Sequence, residues 1–375
     1  MNKNKTLLIL ISTLIVSSII ITIFFYNQTS IKRPQEPTKP YPYYSKDITF
    51  QNNKTNISLA GTLTLPLKYR NLPAVILISG SGPQNRNEEV AGHKPFLVIA
   101  DYLARNGIAV LRYDDRGVGK SKGEFKTANL DDFAIDASSA IEYLKTRKEI
   151  DKNRIGLIGH SEGGLVAPMV AASRDDVNFI VLLASPGIET RKILLKQAEE
   201  IPRSMGASED FIQKNIAENK TYINLVSNSN NNDTLKNKIT QLFGTSYDET
   251  PSILIPENMT KKEYIAIGLN LAESLAFKDL LKLDPTIILQ KISCPVLALN
   301  GEKDIQVSAQ ENLAGIYKAL VKGGNTDVTI KEIPNLNHLF QVCETCTLEE
   351  YETIEQTFSP KALKEIANWI LEKVK

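Results

Sequence analysis

The chain has 375 residues, of which 42% are hydrophobic and 23% are charged, a composition typical of a globular protein. This balance excludes disorder along the whole chain and excludes a protein with many membrane spans. The 44 basic and 43 acidic residues leave a formal charge of +1. The strongly basic surface of a nucleic-acid-binding protein is therefore absent, and we expect no nucleic-acid partner.

The N-terminal residues 1–26 predict a membrane anchor. Residues 7–26 carry no charge, and a helix of that length covers about 30 Å, the thickness of the hydrocarbon core of a bilayer. Lys3 and Lys5 precede the run and favour an N-terminus in the cytoplasm. We expect an uncleaved signal-anchor, with a cleaved signal peptide as the alternative. The globular part is then extracytoplasmic and membrane-anchored, or secreted if the segment is cleaved.

Residues 27–46 contain four prolines, a density that favours extended chain, and we predict a linker there. A globular domain is predicted over 47–375. Its first two strands, near 48–50 and 57–65, alternate apolar and polar residues as antiparallel edge strands do.

Continuous apolar runs then predict strands that are buried on both faces. These runs cover residues 74–78, 108–111, 155–158, 179–183, 296–299 and 328–330. Helical patterns at 94–106 and 130–145 lie between several of them. Alternation of strands and helices predicts an α/β domain with a mostly parallel sheet that is covered by helices.

Residues 188–291 interrupt this alternation. They contain no clear strand, but several stretches have an amphipathic helical pattern, for example 191–201, 210–226 and 261–281. A polar run at 227–233 is predicted to be a loop. We expect a helical cap inserted into the one α/β domain.

Residues 159–163 have the sequence Gly-His-Ser-Glu-Gly and lie between a predicted strand and a predicted helix. A G-x-S-x-G motif at such a strand–turn–helix junction is the nucleophile elbow, which exposes the serine hydroxyl at the end of the strand. Ser161 is therefore the candidate nucleophile. A serine needs a base to remove its proton, and the chain has three histidines.

His338 is the predicted base, because it follows the last predicted strand at the edge where α/β enzymes place their sites. His160 is expected to point away from the site, and His93 is expected in a loop or at the rim. Asp304, which follows the strand at 296–299, is the predicted partner of His338.

Two other carboxylates compete with Asp304 for this role. Glu302 is a weaker alternative on the same loop, and Asp327 is disfavoured because it leads into a strand. The chain order Ser161, Asp304, His338 is the order of the α/β hydrolases.

The oxyanion of an acyl-transfer reaction needs two N–H donors. One is predicted to be the backbone N–H of Glu162, the residue after the nucleophile. The second is assigned to Ser81, with Gly82 as the alternative, on the glycine-rich loop after the strand at 74–78.

On these motifs the sequence resembles the α/β-hydrolase superfamily, and more narrowly the serine-aminopeptidase-like hydrolases and bacterial carboxylesterases of the EstD type. The segments that carry the resemblance are 79–87, 112–121, 159–164, 301–304 and 337–340. The resemblance implies an α/β-hydrolase fold, with a mostly parallel eight-stranded sheet flanked by helices and a helical cap. It also implies hydrolysis of carboxylic esters without a metal or an organic cofactor. In similar proteins the charged loop at 112–121 is structural.

The sequence thus predicts a membrane-tethered serine carboxylesterase that acts on a small-molecule ester through an acyl-enzyme. The peptidase alternative requires carboxylates that bind a free amino terminus, for which Glu88, Glu89 and Glu162 are candidates. A non-catalytic, membrane-tethered binding module is the alternative from another class. Apolar cap residues could line an acyl pocket or only pack the cap onto the body: Ile193, Leu194, Leu195, Ile265, Leu269 and Leu275.

Three cysteines are too few for a disulfide scaffold, and no histidine cluster accompanies them to form a zinc site. Cys343 and Cys346 follow the predicted catalytic histidine. In an exported protein this pair could form a local disulfide, and we hypothesise that such a bridge stiffens the loop of His338. Cys294 is predicted to be a buried small hydrophobic residue.

Overall fold

The computed structural model describes residues 31–67, 70–228, 232–251, 254–255 and 259–375. The predicted anchor over 7–26 lies outside these ranges and stays a prediction. Within the ranges, no helix is both long enough and apolar enough to cross a membrane.

The described residues form one sheet of eight strands: β1 Tyr43–Asn52, β2 Ile57–Pro66, β3 Leu72–Ile78, β4 Ala109–Tyr113, β5 Ile150–His160, β6 Phe179–Leu183, β7 Val296–Gly301 and β8 Val328–Ile333. Their order across the sheet is β1-β2-β4-β3-β5-β6-β7-β8. The first two strands pair antiparallel with each other, and β2 pairs antiparallel with β4. All other pairings are parallel. The predicted α/β class and mostly parallel eight-stranded sheet are confirmed.

Helices cover both faces of the sheet, because its central strands are apolar on both sides. On β3, Ala74 and Ile76 pack toward one face, and Val75 and Leu77 pack toward the other. The helices of the body are α1 Pro95–Arg105, α2 Leu130–Lys145, α3 Gly163–Ala172, α10 Ala309–Lys322, α11 Glu350–Thr353 and α12 Pro360–Lys373. The first face is covered by α2, α3 and α10, and the second by α1 and α12.

Helices also fill the stretch between β6 and β7, where the sequence predicts the cap. They are α4 Thr190–Ser204, α5 Glu209–Asn228, α6 Asn232–Glu249, α7 Lys261–Glu273, α8 Leu275–Leu280 and α9 Pro285–Leu289. Most of them share a third apolar core with loops of the body. The single helix predicted over 261–281 is broken at Ser274, whose extended backbone ends α7 and whose hydroxyl caps α8 by accepting from the N–H of Phe277.

The predicted linker over 27–46 differs from the structure in its described part. The Arg33 guanidinium donates to the backbone oxygens of Ala91 and Gly92, at 3.1 and 3.3 Å, so this segment is packed against the body. Strand β1 begins at Tyr43, inside the predicted linker. Proline density alone gave no sign of these contacts, which depend on residues far away in sequence.

Candidate active site

Ser161 lies in the sharp turn between β5 and α3, with a backbone φ of +51°. The turn leaves no room for side chains at its glycines. A Cβ on Gly159 would lie 2.1 Å from the carbonyl oxygen of Gly163, and a Cβ on Gly163 would lie 2.2 Å from that of Ile78. This geometry is that of a nucleophile elbow, where a strained serine stands at the end of a parallel strand.

Asp304 and His338 are in contact beyond the ends of β7 and β8. Asp304 Oδ2 lies 2.8 Å from Nδ1 of His338, and both side chains are buried. The other carboxylate oxygen of Asp304 accepts from the backbone N–H groups of Gln306 and Val307, at 2.8 and 2.9 Å. The turn after β7 thus fixes the carboxylate and leaves one oxygen for the histidine.

This contact sets the tautomer of His338. A carboxylate oxygen only accepts, so Nδ1 carries the proton and Nε2 of the neutral ring is an acceptor. A ring held in this state can take a proton from a hydroxyl group and share the resulting positive charge with Asp304.

The two carboxylates that competed with Asp304 contact other groups. Glu302 accepts from the N–H of Asn335 at 3.0 Å, and Asp327 pairs with Lys373 at 2.6 Å. His93, expected in a loop or at the rim, is buried. Its ring nitrogens contact the hydroxyl of Thr357 and a backbone oxygen rather than the site.

The loop after β3 lies against Ser161. A Cβ on Gly80 would approach the Cβ of Ser161 to 3.2 Å. In the described part of the chain, no acceptor is found for the N–H groups of Ser81, Gly82 and Glu162, whereas the N–H of Gly80 donates to Glu88. Ser81 and Glu162 are also joined to each other, because the serine hydroxyl donates to the carboxylate at 3.2 Å. The backbone N–H groups of Ser81 and Glu162 are therefore available to bind an oxyanion. The N–H of Gly82 is available as well, so it remains an alternative to that of Ser81.

The expectation that His160 points away from the site is wrong, because this residue contacts the loop that carries His338. Its Nδ1 lies 2.9 Å from Glu88 Oε1, and its Nε2 lies 3.1 Å from the backbone oxygen of His338. The rings of His160 and His338 are 5.0 Å apart at their centroids. Sequence reasoning gave Glu88 no supporting role, because nothing in the local sequence links this residue to the elbow.

Buried carboxylates of the loop after β4 fix the loop after β3 through hydrogen bonds and an ion pair. Asp115 accepts from the hydroxyl of Ser79 and the N–H of Gln84, both at 2.9 Å, and Asp114 pairs with Arg86 at 2.7 Å. Burial raises the pKa of Asp115 to about 8, although its two hydrogen bonds act in the opposite direction. These contacts give the charged loop after β4 the structural role that the resemblance implied.

A small cavity borders His338 and Gly80. Its apolar wall is formed by Val90, Leu339 and Leu348. The volume of about 20 Å³ leaves room for little more than one water-sized group.

None of the six cap residues named from the sequence lines this cavity. Ile193 and Leu194 are buried, and Leu275 is 55% exposed. Leu195, Ile265 and Leu269 pack against the cap core. Of the two alternatives left open by the sequence, packing within the cap fits these residues better than lining this cavity.

The loop after His338 carries two further features. Cys343 and Cys346 form a disulfide, and Glu350 accepts from the backbone N–H groups of Glu344, Thr345 and Cys346. Cys294 is a partly buried free thiol. Among the described residues, no group of three or more His, Cys, Asp or Glu side chains is arranged to hold a metal ion.

Comparisons with known proteins agree with this architecture. A family model described as serine aminopeptidase, S33, matches residues 94–249, which include the elbow. Esterase EstD of Thermotoga maritima is 27% identical over 337 residues, which are 88% of this chain and 68% of that esterase. An acyl transferase of Photobacterium leiognathi is 31% identical over 123 residues, 32% of this chain and 35% of the transferase.

Solved structures show the same fold at low identity. A hypothetical protein of Pseudomonas aeruginosa has a TM-score of 0.55 at 17% identity, covering 93% of this chain and 99% of that one. An esterase of Pyrococcus furiosus has a TM-score of 0.54 at 16% identity, covering 93% of this chain and 100% of that one. These likenesses show that the chain shares the fold of these structures. The candidate acid and base, Asp304 and His338, lie outside the segment that the family model matches.

Proposed function

We propose that this α/β hydrolase is a serine carboxylesterase that forms an acyl-enzyme on Ser161. The observation that carries the proposal is the contact between Asp304 and His338, made by an aspartate that two backbone N–H groups already fix. This pair follows the ends of parallel strands, and the strained turn of Ser161 follows the end of another strand in the same sheet. The similarity to an esterase over 88% of the chain supports the same activity.

In the proposed reaction, these residues carry out each step of ester cleavage. Ser161 Oγ attacks the carbonyl carbon while its proton passes to Nε2 of His338, and Asp304 stabilises the imidazolium. The N–H groups of Glu162 and Ser81 hold the oxyanion. The imidazolium then gives its proton to the leaving alkoxide, which departs as the alcohol. Water attacks the acyl-enzyme, gives its proton to the histidine, and the carboxylic acid leaves as Ser161 regains its proton.

The peptidase alternative is less well supported, because two of its three candidate carboxylates, Glu88 and Glu162, already contact other groups. Glu88 is buried and contacts Gly80 and His160, whereas Glu89 is exposed. Burial raises the pKa of Glu162, despite the opposing hydrogen bond from Ser81, and so disfavours the anion that would bind an ammonium group. Ester hydrolysis does not require a carboxylate that binds an ammonium group.

The test is hydrolysis of p-nitrophenyl esters by the wild type, Ser161→Ala and Ser139→Ala. The control serine lies in α2, and its hydroxyl donates to a backbone oxygen within the helix. We expect turnover on acetate esters, its loss in Ser161→Ala only, and labelling of the wild type by a fluorophosphonate. Turnover confined to peptide p-nitroanilides would favour the peptidase. Folded protein that neither turns over nor labels would favour the non-catalytic binding module.

We also propose that residues 7–26 tether the enzyme to a membrane, with the hydrolase facing outward. The support is the length of this uncharged run, with the two lysines before it. Sedimentation of the full chain with membranes, compared with a chain that lacks residues 1–30, tests the tether. Equal release of both into the soluble fraction would exclude it.

A further inference from the structure

A second cleft lies away from the candidate catalytic residues. It is bordered by α1, β1, β2, β4 and the segment that leads into β1, and its volume is about 870 Å³, within the size range of small-molecule sites. Strand β4 contributes Arg112, which faces the cleft beside Thr62 of β2.

Arg112 is a buried cation whose guanidinium has fewer hydrogen-bond acceptors than it has N–H donors. The residue is only 4% exposed. Its Nη1 donates to the side-chain oxygen of Asn87, whereas Nε is buried and has no acceptor. No carboxylate in the described part of the chain forms an ion pair with it. Burial, with a smaller contribution from Arg86, lowers its pKa to about 10. A guanidinium has five N–H donors, and burying it without an anion is costly.

The carboxylates at the cleft are already paired with other cations. Asp47 lies 3.2 Å from Arg86, and Asp101 lies 2.8 Å from Arg105. Lys39, on the rim, forms no ion pair with any described residue. Arg112 and Lys39, the two cations at the cleft, thus have no carboxylate partner among the described residues. Each of the two carboxylates at the cleft is already paired with an arginine.

The remaining wall of the cleft is aromatic and apolar, so it suits the hydrocarbon part of a ligand. The rings of Tyr41 and Tyr43 stack at a centroid distance of 5.2 Å with an angle of 9° between their planes, and Leu97 and Ala100 add apolar surface. Burial and the neighbouring Asp101 raise the pKa of Tyr43, which keeps its phenol neutral.

We propose that this cleft binds a small organic carboxylate, which pairs with the guanidinium of Arg112 and lies against the rings of Tyr41 and Tyr43. A carboxylate supplies the missing anion, and an aryl or short alkyl group covers the aromatic wall. The site is separate from Ser161 and does not depend on the proposed esterase activity.

The test is calorimetric titration of the full chain with benzoate, acetate and inorganic phosphate. Arg112→Met removes the charge and keeps most of the length of the side chain, while Arg147→Met is a control at an arginine outside the cleft. We expect one benzoate per chain, with unchanged affinity in Ser161→Ala and Arg147→Met and binding at least about tenfold weaker in Arg112→Met. Acetate, which lacks the ring, should bind more weakly than benzoate.

Several outcomes would overturn the proposal. They are no saturable binding of benzoate at about 10 mM, equal binding by Arg112→Met, loss of binding in Ser161→Ala, or phosphate binding as tightly as benzoate. Should Arg112→Met fail to fold, wild-type crystals soaked in 4-iodobenzoate give the answer. An anomalous iodine peak beside Arg112 supports the site, and its absence there refutes it.

Discussion

The carboxylate of Glu88 lies 2.9 Å from Nδ1 of His160, and the same oxygen accepts from the N–H of Gly80 at 2.6 Å. The other ring nitrogen of His160 faces the backbone oxygen of His338. Both partners only accept, so the ring satisfies both when both nitrogens carry protons. Burial acts to lower the pKa of His160, but Glu88 outweighs it and the pKa is raised. The contact between Glu88 and His160 therefore joins the loop after β3 to the loop that carries His338.

Glu88→Gln tests this pair as a positioning element. A glutamine oxygen can still accept from the N–H of Gly80, but its neutral amide no longer stabilises the imidazolium of His160. We expect kcat on p-nitrophenyl acetate to fall about tenfold, with KM changed little, because small displacements of catalytic groups reduce the rate more than binding. The fall of kcat at alkaline pH should begin at a lower pH, because losing Glu88 lowers the pKa of His160.

Glu89→Gln is the matched control, since Glu89 is the exposed neighbour of Glu88. It should behave as the wild type. Equal losses in the two variants, or an effect of Glu88→Gln on KM alone, would show that the pair does not position the catalytic groups.

Asp304→Asn should remove nearly all turnover without unfolding the chain. The asparagine oxygen can still accept from the N–H groups of Gln306 and Val307, but the amide donates where the carboxylate accepted, and His338 is held in the wrong tautomer. In serine proteases this change reduces kcat by about 10⁴-fold, and we expect a loss of similar order. Steady-state kinetics and the melting temperature measure the two effects.

Glu302→Gln is the control on the same loop. Glu302 accepts from the N–H of Asn335 and does not contact His338. This variant should keep wild-type turnover. If it loses as much activity as Asp304→Asn, the acid of the site has been assigned wrongly.

The structural features that could be predicted from the sequence are those that depend on local sequence patterns. Apolar runs located the inner strands, and β6 spans the same residues, Phe179–Leu183, as its run. Gly159 and Gly163 identified the elbow, because the turn needs glycines at those positions. The contact between Asp304 and His338 could be predicted because both residues follow buried strands, and parallel strands end at one edge of the sheet.

Contacts between distant segments could not be predicted in this way. Glu88 and His160 are 72 positions apart, and nothing in either local sequence indicates the other. The polar helix α6 was missed because its sequence has a weak amphipathic pattern and follows a run typical of loops. The apolar wall beside His338 comes from loops such as the one carrying Leu348, and no local pattern indicated that these loops meet there.

Leu348→Ala should widen the acyl preference. Leu348 is buried and lines the small cavity beside His338, so its truncation leaves space for a longer chain. We expect the ratio of kcat/KM for butyrate to that for acetate to rise about tenfold, since each buried methylene contributes about 0.8 kcal/mol. Leu275→Ala is the control, because Leu275 is exposed on the cap. A shift of equal size in Leu275→Ala would place the acyl pocket under the cap instead.

The disulfide between Cys343 and Cys346 should add modest stability. It closes a short ring, for which chain entropy gives about 2 kcal/mol. Because Glu350 separately holds three backbone N–H groups of the same loop, we expect the melting temperature of Cys343→Ser/Cys346→Ser to fall by a few degrees and kcat to change less than about twofold. Dithiothreitol should lower the melting temperature of the wild type only. No effect of reduction on melting temperature or activity would refute the hypothesis that the bridge stiffens the loop.

His93 should make the protein less stable in acid. Its Nε2 lies 2.7 Å from the backbone oxygen of Tyr351 and its Nδ1 lies 3.0 Å from the hydroxyl of Thr357, contacts that suit the neutral ring. Burial, helped by Arg33, lowers the pKa of His93 to about 4 from a usual 6.5. Between these values the unfolded chain binds a proton that the folded chain does not. The free energy of unfolding therefore falls as the pH falls through this window, by about 3 kcal/mol from this group.

His93→Gln separates this effect from the titration of the other groups. A glutamine amide can donate to the oxygen of Tyr351 and accept from Thr357, and it does not titrate. We expect urea unfolding at pH 4 to 7 to show a flatter pH dependence for the variant than for the wild type, with the two curves converging toward acid. Parallel curves would mean that His93 takes up its proton in the folded state as readily as in the unfolded chain. The burial of its ring between two hydrogen-bonding partners would then carry no cost for the charged form.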